Sequence, residues 1–342
     1  MKAMVLRAIH AVTEGSRPLE ATELRDPVPE AGEILVQVLT CGVCHTELDE
    51  IEGRTPPPAL PIVLGHQVVG MVKASGPGAK RFQPGARVGI AWIFSACGTC
   101  TFCRGGNENL CLNFKATGRD VNGGYAELMT VPEAFAYPIP NAFSNSEAAP
   151  LLCAGAIGYR SLRLSGLRDG QSLGLTGFGA SAHLVLKMVR HSYPTTQVFV
   201  FARSETERVF ARELGAVWSG DTAEPSPTKL SAIIDTTPVW TPVVEALKNL
   251  EPGGRLVINA IRKEEVDKGS LQHLDYPKHL WLEREIKTVA NVTRADVSEF
   301  LQLAAEMRIK PEVEEFSLWD ANRALTELKA AKIRGAKVLK MS

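Results

Sequence analysis

Ser172-Leu173-Gly174-Leu175-Thr176-Gly177-Phe178-Gly179-Ala180-Ser181-Ala182 is the stretch that decides the fold of this chain. A strand-like run leads into a glycine turn and then into a helix-like run, which is the context of the dinucleotide fingerprint G-x-G-x-x-G/A. Gly177 and Gly179 permit a tight turn and a close approach of backbone to pyrophosphate, and Ala182 takes the third position. The helix N-terminus would direct its dipole at the phosphates. On these residues alone, a glycine-rich loop without a ligand is the alternative.

The segments that follow this motif alternate between strand-like and helix-like patterns, which predicts βαβ units and a parallel sheet. The predicted strands are Ser172–Thr176, Val198–Phe201, Ala232–Asp235 and Arg255–Asn259, and the predicted helices are Ala180–Arg190, Thr206–Leu214 and Val243–Leu250. A strand-like run (Ile286–Val292), two helix-like runs (Val297–Met307 and Ala321–Ala331) and Ala336–Leu339 come after them. The last of these either extends the sheet or returns to the first domain.

The N-terminal part has a different pattern, because 13 of the 21 prolines lie within the first 150 residues, among short β-branched runs. That pattern is typical of many short strands and turns. A length of 342 residues also favours two domains over one.

Composition and charge exclude several function classes. Hydrophobic residues make up 45% and charged residues 22%, as in ordinary globular proteins, and 38 Lys and Arg balance 38 Asp and Glu. Such a chain has no overall field that would attract nucleic acid or an anionic membrane. The N-terminus lacks a signal-peptide core, and no apolar run approaches the length of a membrane span. We expect a cytoplasmic protein that binds neither nucleic acid nor a membrane.

Seven cysteines cluster at short spacings, which favours metal ligation over disulfides in a chain without a secretion signal. The densest group is Cys97, Cys100, Cys103 and Cys111. Four thiolates close a tetrahedral shell around Zn²⁺, which is the structural type of zinc site. An iron–sulfur cluster and buried, unliganded cysteines are the alternatives.

A second possible metal site is dispersed along the chain, at Cys44, His66 and Cys153. Two thiolates and one imidazole would hold a zinc ion with a vacant fourth position, as catalytic sites do. Their sequence separation alone does not select these three residues, since a single histidine or buried cysteine is usually structural.

These motifs, in this order, resemble the zinc-dependent alcohol dehydrogenases of the medium-chain dehydrogenase/reductase family. The resemblance spans essentially the whole chain, and the segments that carry it are Cys44–Glu47, Gly65–His66, the four-cysteine group, Gly123–Glu127, Leu151–Gly155 and the Gly177 motif. It implies that Cys44, His66 and Cys153 hold a catalytic zinc and that the four-cysteine group holds a structural one. Cys41 is then left as a packing residue.

The resemblance also implies roles for residues near the catalytic zinc. Thr46 matches the hydroxyl of a proton relay, His45 matches a position near the cofactor pyrophosphate, and Trp92 matches a substrate-pocket aromatic or is a core residue. Three positions depart from the family pattern: Asp49 replaces the relay histidine, Gln67 replaces a glutamate beside His66, and Glu47 replaces an aspartate that orients His66. We expect Glu47 to contact His66, and the loss of a carboxylate at Gln67 to leave the zinc more electrophilic.

The predicted end of the second strand bears on the choice of cofactor. An enzyme that binds NAD usually has an acidic residue there, about 20 residues after the motif, for the ribose 2′-hydroxyl. The residues present are Ala202, Arg203 and Ser204, so no carboxylate repels a 2′-phosphate and Arg203 could pair with one. We expect NADP(H) to be preferred, with NAD(H) as the alternative.

The resemblance thus implies an α/β protein with a GroES-like β-rich catalytic domain over 1–144 and 288–342, and a Rossmann dinucleotide-binding domain over 145–287 with a doubly wound parallel sheet. An active site in the cleft between the domains would oxidise alcohols reversibly, primary alcohols favoured, and reduce aldehydes. A zinc-free quinone or enoyl reductase of the same superfamily is the rival enzyme. A regulatory zinc module is the rival from another class, but the four-cysteine segment lacks the basic flank that it would need. We expect a homodimer or homotetramer, assembled through the Rossmann domain.

Overall fold

Residues 1–330 and 335–341 are described by a computed structural model of the chain. Two units divide them: one spans Met1–Cys153 and the chain from Val292 onwards, and the other spans Ala154–Asn291. Among the described residues, no helix is both long enough and apolar enough to span a membrane.

The first unit is built mainly from antiparallel strands. Its elements up to residue 150 are β1 (Lys2–Leu6), β2 (Leu19–Glu23), β3 (Glu33–Val43), α1 (His45–Ile51), β4 (Ile62–Val63), β5 (Val68–Ser75), β6 (Arg87–Ile90), β7 (Ile93–Ser95), α2 (Thr101–Arg104), β8 (Lys115–Ala116), β9 (Leu128–Pro132), β10 (Ala136–Pro138) and α3 (Asn145–Pro150). β3 pairs with both β5 and β9. Its alternate side chains Ile34, Val36 and Val38 are buried, as expected of a strand with one face on a core.

The second unit has a parallel sheet. Its elements are α4 (Ala156–Ser165), β11 (Ser172–Thr176), α5 (Ala180–Ser192), β12 (Gln197–Phe201), α6 (Glu205–Glu213), β13 (Trp218–Gly220), β14 (Leu230–Asp235), α7 (Thr241–Asn249), β15 (Leu250–Ile258) and β16 (Glu285–Thr288). The strand order is β13-β12-β11-β14-β15-β16, with every pair parallel. The predicted doubly wound sheet is therefore confirmed. β16 is shorter than the predicted strand, and Asn291, with φ 59°, turns the chain just beyond it.

The end of the chain returns to the first unit. Its elements are α8 (Arg294–Glu306), β17 (Val313–Ser317), α9 (Ala321–Lys329) and β18 (Ala336–Lys340). β18 pairs antiparallel with β3 and parallel with β17, which settles the open question about the C-terminal strand. Ala331, the predicted last residue of the preceding helix, lies outside the described residues.

Candidate metal centres and cofactor-binding turn

Three elements of the first unit bring Cys44, His66 and Cys153 together. Cys44 follows β3 and is the N-cap of α1, and His66 lies between β4 and β5. Pro150 ends α3, and the chain continues as a π-helical turn, Leu151–Gly155, that carries Cys153. Turns of this kind are frequent at functional sites.

The distances between the three donor atoms suit a small tetrahedral cation. Cys153 Sγ lies 3.3 Å from His66 Nε2 and 3.9 Å from Cys44 Sγ, and all three donors lie within 4.8 Å of one another. A zinc ion with bonds of about 2.3 Å to sulfur and about 2.0 Å to nitrogen separates its donors by roughly 3.5–3.8 Å. The residues present therefore fit zinc, and three protein donors leave one position for a substrate oxygen.

Glu47 orients His66 from the side opposite the donor atom. Its Oε1 lies 2.6 Å from His66 Nδ1, and its Oε2 accepts a hydrogen bond of 2.8 Å from the backbone N–H of Cys44. Both side chains are fully buried. The contact expected between Glu47 and His66 is present, and one carboxylate thus aligns two of the three donors.

The charges in this cluster favour thiolate at Cys44. A hydrogen bond from Cys153 holds the pKa of Cys44 well below its ordinary value, and the same bond together with burial raises the pKa of Cys153. Burial alone would lower the pKa of His66, but the carboxylate of Glu47 and the sulfur of Cys44 offset it and raise that pKa well above the usual value. A bound divalent cation would stabilise both thiolates and keep the imidazole neutral.

Sequence reasoning missed Glu50, one helical turn after Glu47 in α1. Its side chain is buried, and neither carboxyl oxygen has a hydrogen-bond partner among the described residues. Burial and the neighbouring Glu47 raise the pKa of Glu50 well above its ordinary value. No sequence signal indicated this residue, because glutamate in a short helix is ordinarily exposed.

The residues assigned by resemblance have these positions. Thr46 is half-buried, with its Oγ1 3.6 Å from Cys44 Sγ, and His45 is exposed. Asp49 is buried, and its Oδ1 accepts a hydrogen bond of 2.5 Å from Arg54 Nε. Gln67 is buried beside His66, and the ring of Trp92 lies 5.1 Å from that of Phe114. Thr46, His45 and Asp49 therefore lie on the segment that carries Cys44, and Gln67 lies on the segment that carries His66.

The four remaining donors form a separate cluster around α2. The sulfurs of Cys97, Cys100, Cys103 and Cys111 lie within 4.8 Å of one another, and those of Cys97 and Cys103 are 3.9 Å apart. All seven cysteines are free of disulfides. This spacing fits a zinc ion held by four thiolates, with no position open to substrate.

Backbone N–H groups favour the thiolate form of this cluster. Cys100 N donates to Cys97 Sγ over 3.4 Å, and Cys103 N donates to Cys100 Sγ over 3.5 Å. Hydrogen bonds to Thr99 and Cys100 lower the pKa of Cys97 to about 5. Burial and its sulfur neighbours raise the pKa of Cys103 to about 12. Like charges so close together call for a cation between them.

The glycine turn of the second unit has the form that a bound pyrophosphate requires. Gly177 has φ 72°, a left-handed conformation that favours glycine, and its N–H donates to Phe201 O over 2.8 Å. A Cβ on Gly179 would point into open space, which leaves room for a ligand against the backbone. α5 begins immediately afterwards, and its N-cap residue, Gly179, has no side chain that could cap the first turn. Its N-terminal N–H groups are therefore available to an anion.

The end of β12 holds more positive charge than the sequence indicated. Ala202 is buried, while Arg203 and Ser204 are exposed, and the Ser204 side chain makes no cap bond to α6. Arg208, which sequence reasoning missed, donates to the carbonyls of Ala202 and Arg203 over 2.7 and 3.0 Å. Its position four residues after Ser204, one turn along a predicted helix, is the signal that could have identified it.

Two thiolate-rich donor sets in a β-rich unit, together with a glycine turn in a parallel α/β unit, are the features of a medium-chain dehydrogenase. Residues 30–141 match the family described as alcohol dehydrogenase GroES-like domain. The chain is 43% identical over 327 residues to a probable alcohol dehydrogenase, AdhA, of Mycobacterium tuberculosis, with 94% of this chain and 92% of that one covered. It is 32% identical to an alcohol dehydrogenase of Geobacillus stearothermophilus, with 96% and 98% covered.

A solved structure of similar fold is the cobalt- and zinc-bound thermostable alcohol dehydrogenase of Pyrobaculum aerophilum. It has a TM-score of 0.86 at 21% identity, with 99% of each chain covered, which shows similarity of fold. The extent and identity of the curated matches show that this chain belongs to the alcohol dehydrogenase family, of the medium-chain dehydrogenase/reductase type.

Proposed function

We propose that the protein is a zinc-dependent alcohol dehydrogenase that transfers hydride reversibly between a small alcohol and a nicotinamide dinucleotide. The observation that carries this proposal is the convergence of Cys44, His66 and Cys153 on one point, with donor distances of 3.3 and 3.9 Å. The alcohol dehydrogenase relatives and the open space beside Gly179 support the same conclusion. Primary alcohols are the proposed substrates.

The residues around the proposed catalytic centre have two roles, namely binding zinc and positioning the zinc ligands. Zinc held by Cys44, His66 and Cys153 would supply a Lewis acid that lowers the pKa of an alcohol or polarises an aldehyde carbonyl. The dinucleotide would supply the hydride acceptor or donor. Glu47 fixes the ring of His66 and the N-terminus of α1, so that Cys44 and His66 keep their geometry during turnover.

Thr46 and Asp49 provide the proposed route for the proton. The Thr46 hydroxyl lies beside Cys44 Sγ, where it can accept the proton of the substrate hydroxyl. Asp49 is three residues further along α1 and therefore on the same helix face, and Arg54 holds its Oδ1. We propose Trp92 as a wall of the substrate pocket, and His45 as a contact of the cofactor pyrophosphate.

We further propose a preference for NADP(H) over NAD(H). The end of β12 carries no carboxylate at Ala202, and Arg203 and the Ser204 hydroxyl are exposed there. Arg208 adds a second cation, with Glu205 Oε2 2.9 Å from its Nε and Asp221 Oδ2 3.4 Å from its Nη1. A 2′-phosphate could displace these exposed carboxylates, since Arg binds phosphate bidentately.

We also propose that the chain forms a dimer through β16, with a second copy as the partner. β16 is the edge of the parallel sheet, and its four residues are exposed. Ile286 on the strand, and Trp281 and Leu282 just before it, are each about half exposed. An edge strand pairs readily with its own copy about a two-fold axis. Light scattering should find a dimer or a larger even assembly that Ile286→Lys dissociates, whereas a wild-type monomer would contradict the proposal.

The test of the enzymatic proposal is elemental analysis of the purified protein, followed by reduction of benzaldehyde with NADPH and with NADH. We expect about two zinc ions per chain and a ratio of kcat/KM for NADPH over NADH well above ten. Reduction by protein without zinc would instead indicate a quinone or enoyl reductase of the same superfamily. A ratio below one would assign the enzyme to NAD(H) and leave the zinc assignment intact. As a control, Cys44→Ser should abolish activity and keep the zinc of the four-cysteine cluster.

A further inference from the structure

The strand order of the parallel sheet reverses between β11 and β14, whose carboxyl ends lie side by side. The chain runs from β11 outward to β12 and β13 on one side, and through β14, β15 and β16 on the other. In sheets of this kind the dinucleotide crosses the crevice at that reversal. Its adenosine half lies over the strands on the β12 side, and its nicotinamide half lies over the strands on the β14 side.

A buried ion pair lies at this reversal. Lys263, in the loop after β15, contacts Asp235 Oδ2 at the end of β14, with 7% and 0% of the two side chains exposed. Lys263 Nζ also donates to the carbonyls of Thr237 and Val239, over 2.7 and 3.0 Å. All three ammonium hydrogens thus have acceptors, and the loop after β15 is joined to the loop after β14.

The other oxygen of Asp235 extends this network to the strand that carries the glycine turn. Asp235 Oδ1 accepts from Thr176 Oγ1 over 2.5 Å and from Thr237 Oγ1 over 2.7 Å. A Cβ on Gly177 would lie 2.9 Å from Thr237 Cγ2, so Thr237 packs directly against the turn. The network therefore connects the glycine turn, the loop after β14 and the loop after β15.

Such a pair has little value for stability alone. Taking two charges out of water costs as much as their attraction returns, so replacing a buried pair by apolar residues is often neutral. A pair of this kind is better explained by the geometry that it fixes. Here it sets the positions of two loops at the point where the sheet binds its ligand.

We propose that Lys263 and Asp235 are positioning residues for the nicotinamide half of the dinucleotide. They hold the loop 236–239 against the Gly177 turn, and the nicotinamide half of the cofactor binds against this loop. This inference depends on the proposed dinucleotide binding. It concerns only the β14 side of the sheet and leaves the binding of the adenosine half unchanged.

The test is to titrate the zinc-loaded enzyme with NADPH and with the fragment 2′,5′-ADP, which lacks the nicotinamide half, using NADH and AMP in parallel. Lys263→Met should raise the Kd for NADPH at least ten-fold and change the Kd for 2′,5′-ADP less than two-fold. Lys263→Met alone leaves the charge of Asp235 buried without its ion-pair partner, and adding Asp235→Asn removes that charge. The thermal stability of this double variant should recover, while its Kd for NADPH stays at least five-fold raised. Lys248→Met, at an exposed pair with Glu245, is the matched control and should change neither Kd.

The outcomes separate this inference from the proposed function. An NADPH affinity that returns to the wild-type value in the double variant would show that the pair is merely structural, as would equal weakening of NADPH and 2′,5′-ADP. If the wild-type protein binds neither NADPH nor NADH, the proposed function itself fails and the inference fails with it. Binding by the wild type with unchanged binding by Lys263→Met overturns the inference alone.

Discussion

Glu47→Gln should weaken zinc binding at the catalytic centre more than any other nearly isosteric change in α1. The two oxygens of Glu47 serve two donors, His66 Nδ1 at 2.6 Å and the backbone N–H of Cys44 at 2.8 Å. A carboxylate accepts at both oxygens, whereas an amide has one oxygen and one NH₂ group. The glutamine variant must therefore place a donor against a donor at one of these contacts.

The size of the effect follows from the loss of one close ion-pair contact between buried groups, Glu47 Oε1 and His66 Nδ1. A hydrogen bond to a charged group, the nearest reference for such a contact, contributes about 1.5–3 kcal/mol. That range corresponds to roughly a 10- to 150-fold change in an equilibrium constant, and loss of a partner behind a metal ligand typically costs 10- to 100-fold in metal affinity. We therefore expect the dissociation constant for zinc at the Cys44 site to rise about 10- to 100-fold.

The assay is competition for zinc with a chelator of known affinity, and the matched control is Glu50→Gln. Glu50 is also buried in α1, but none of the described residues hydrogen-bonds to its carboxyl group. Glu50→Gln should leave zinc affinity within about three-fold of the wild type, since it removes no hydrogen bond to a ligand. Equal zinc affinities for the two variants would refute the reasoning.

Three further predictions concern the other parts of the molecule. Cys103→Ala should lower the zinc content from about two ions to one per chain by elemental analysis, while Cys41→Ala, which removes a buried thiol outside both donor sets, should keep two. Ala202→Asp should lower the ratio of kcat/KM for NADPH over NADH at least ten-fold, because a carboxylate there repels a 2′-phosphate; an unmoved ratio would count against the proposed cofactor preference. Glu108→Gln should lower the free energy of unfolding by about 1 kcal/mol at pH 7, because Glu108 Oε1 accepts two hydrogen bonds from Arg294, which is partly exposed. Burial alone would raise the pKa of Glu108, but the hydrogen bonds from Arg294 lower that pKa below its ordinary value. The stabilisation is therefore present at neutral pH and is lost as the pH falls through the folded-state pKa. The difference between wild type and variant, measured by thermal unfolding, should shrink below about pH 4.

Short sequence separations were sufficient to predict one cluster of cysteine side chains and the glycine turn. Cys97, Cys100 and Cys103 lie within seven residues, so local chain geometry alone keeps their sulfurs close together. The glycine turn is equally local, because a strand, two glycines and a helix start follow without interruption. The parallel sheet could be predicted from the alternation of segments, although strand ends such as the start of β15 could not.

The grouping of Cys44, His66 and Cys153 was predictable only through resemblance, since these residues are separated by 22 and 87 residues. Their assembly depends on the sheet around β3 and on the turn after α3.

The amino-acid sequence by itself determined the elements that depend on neighbours along the chain, namely the four-cysteine cluster, the Gly177 turn and the alternating strands and helices. Only the tertiary structure decided the partners of buried charges. The contacts of Glu47 with His66 and of Lys263 with Asp235 depend on which side chains packing brings within about 3 Å, and no periodic pattern encodes such contacts. The physical reason is that a charge removed from water must find its partner in space, wherever the chain supplies one.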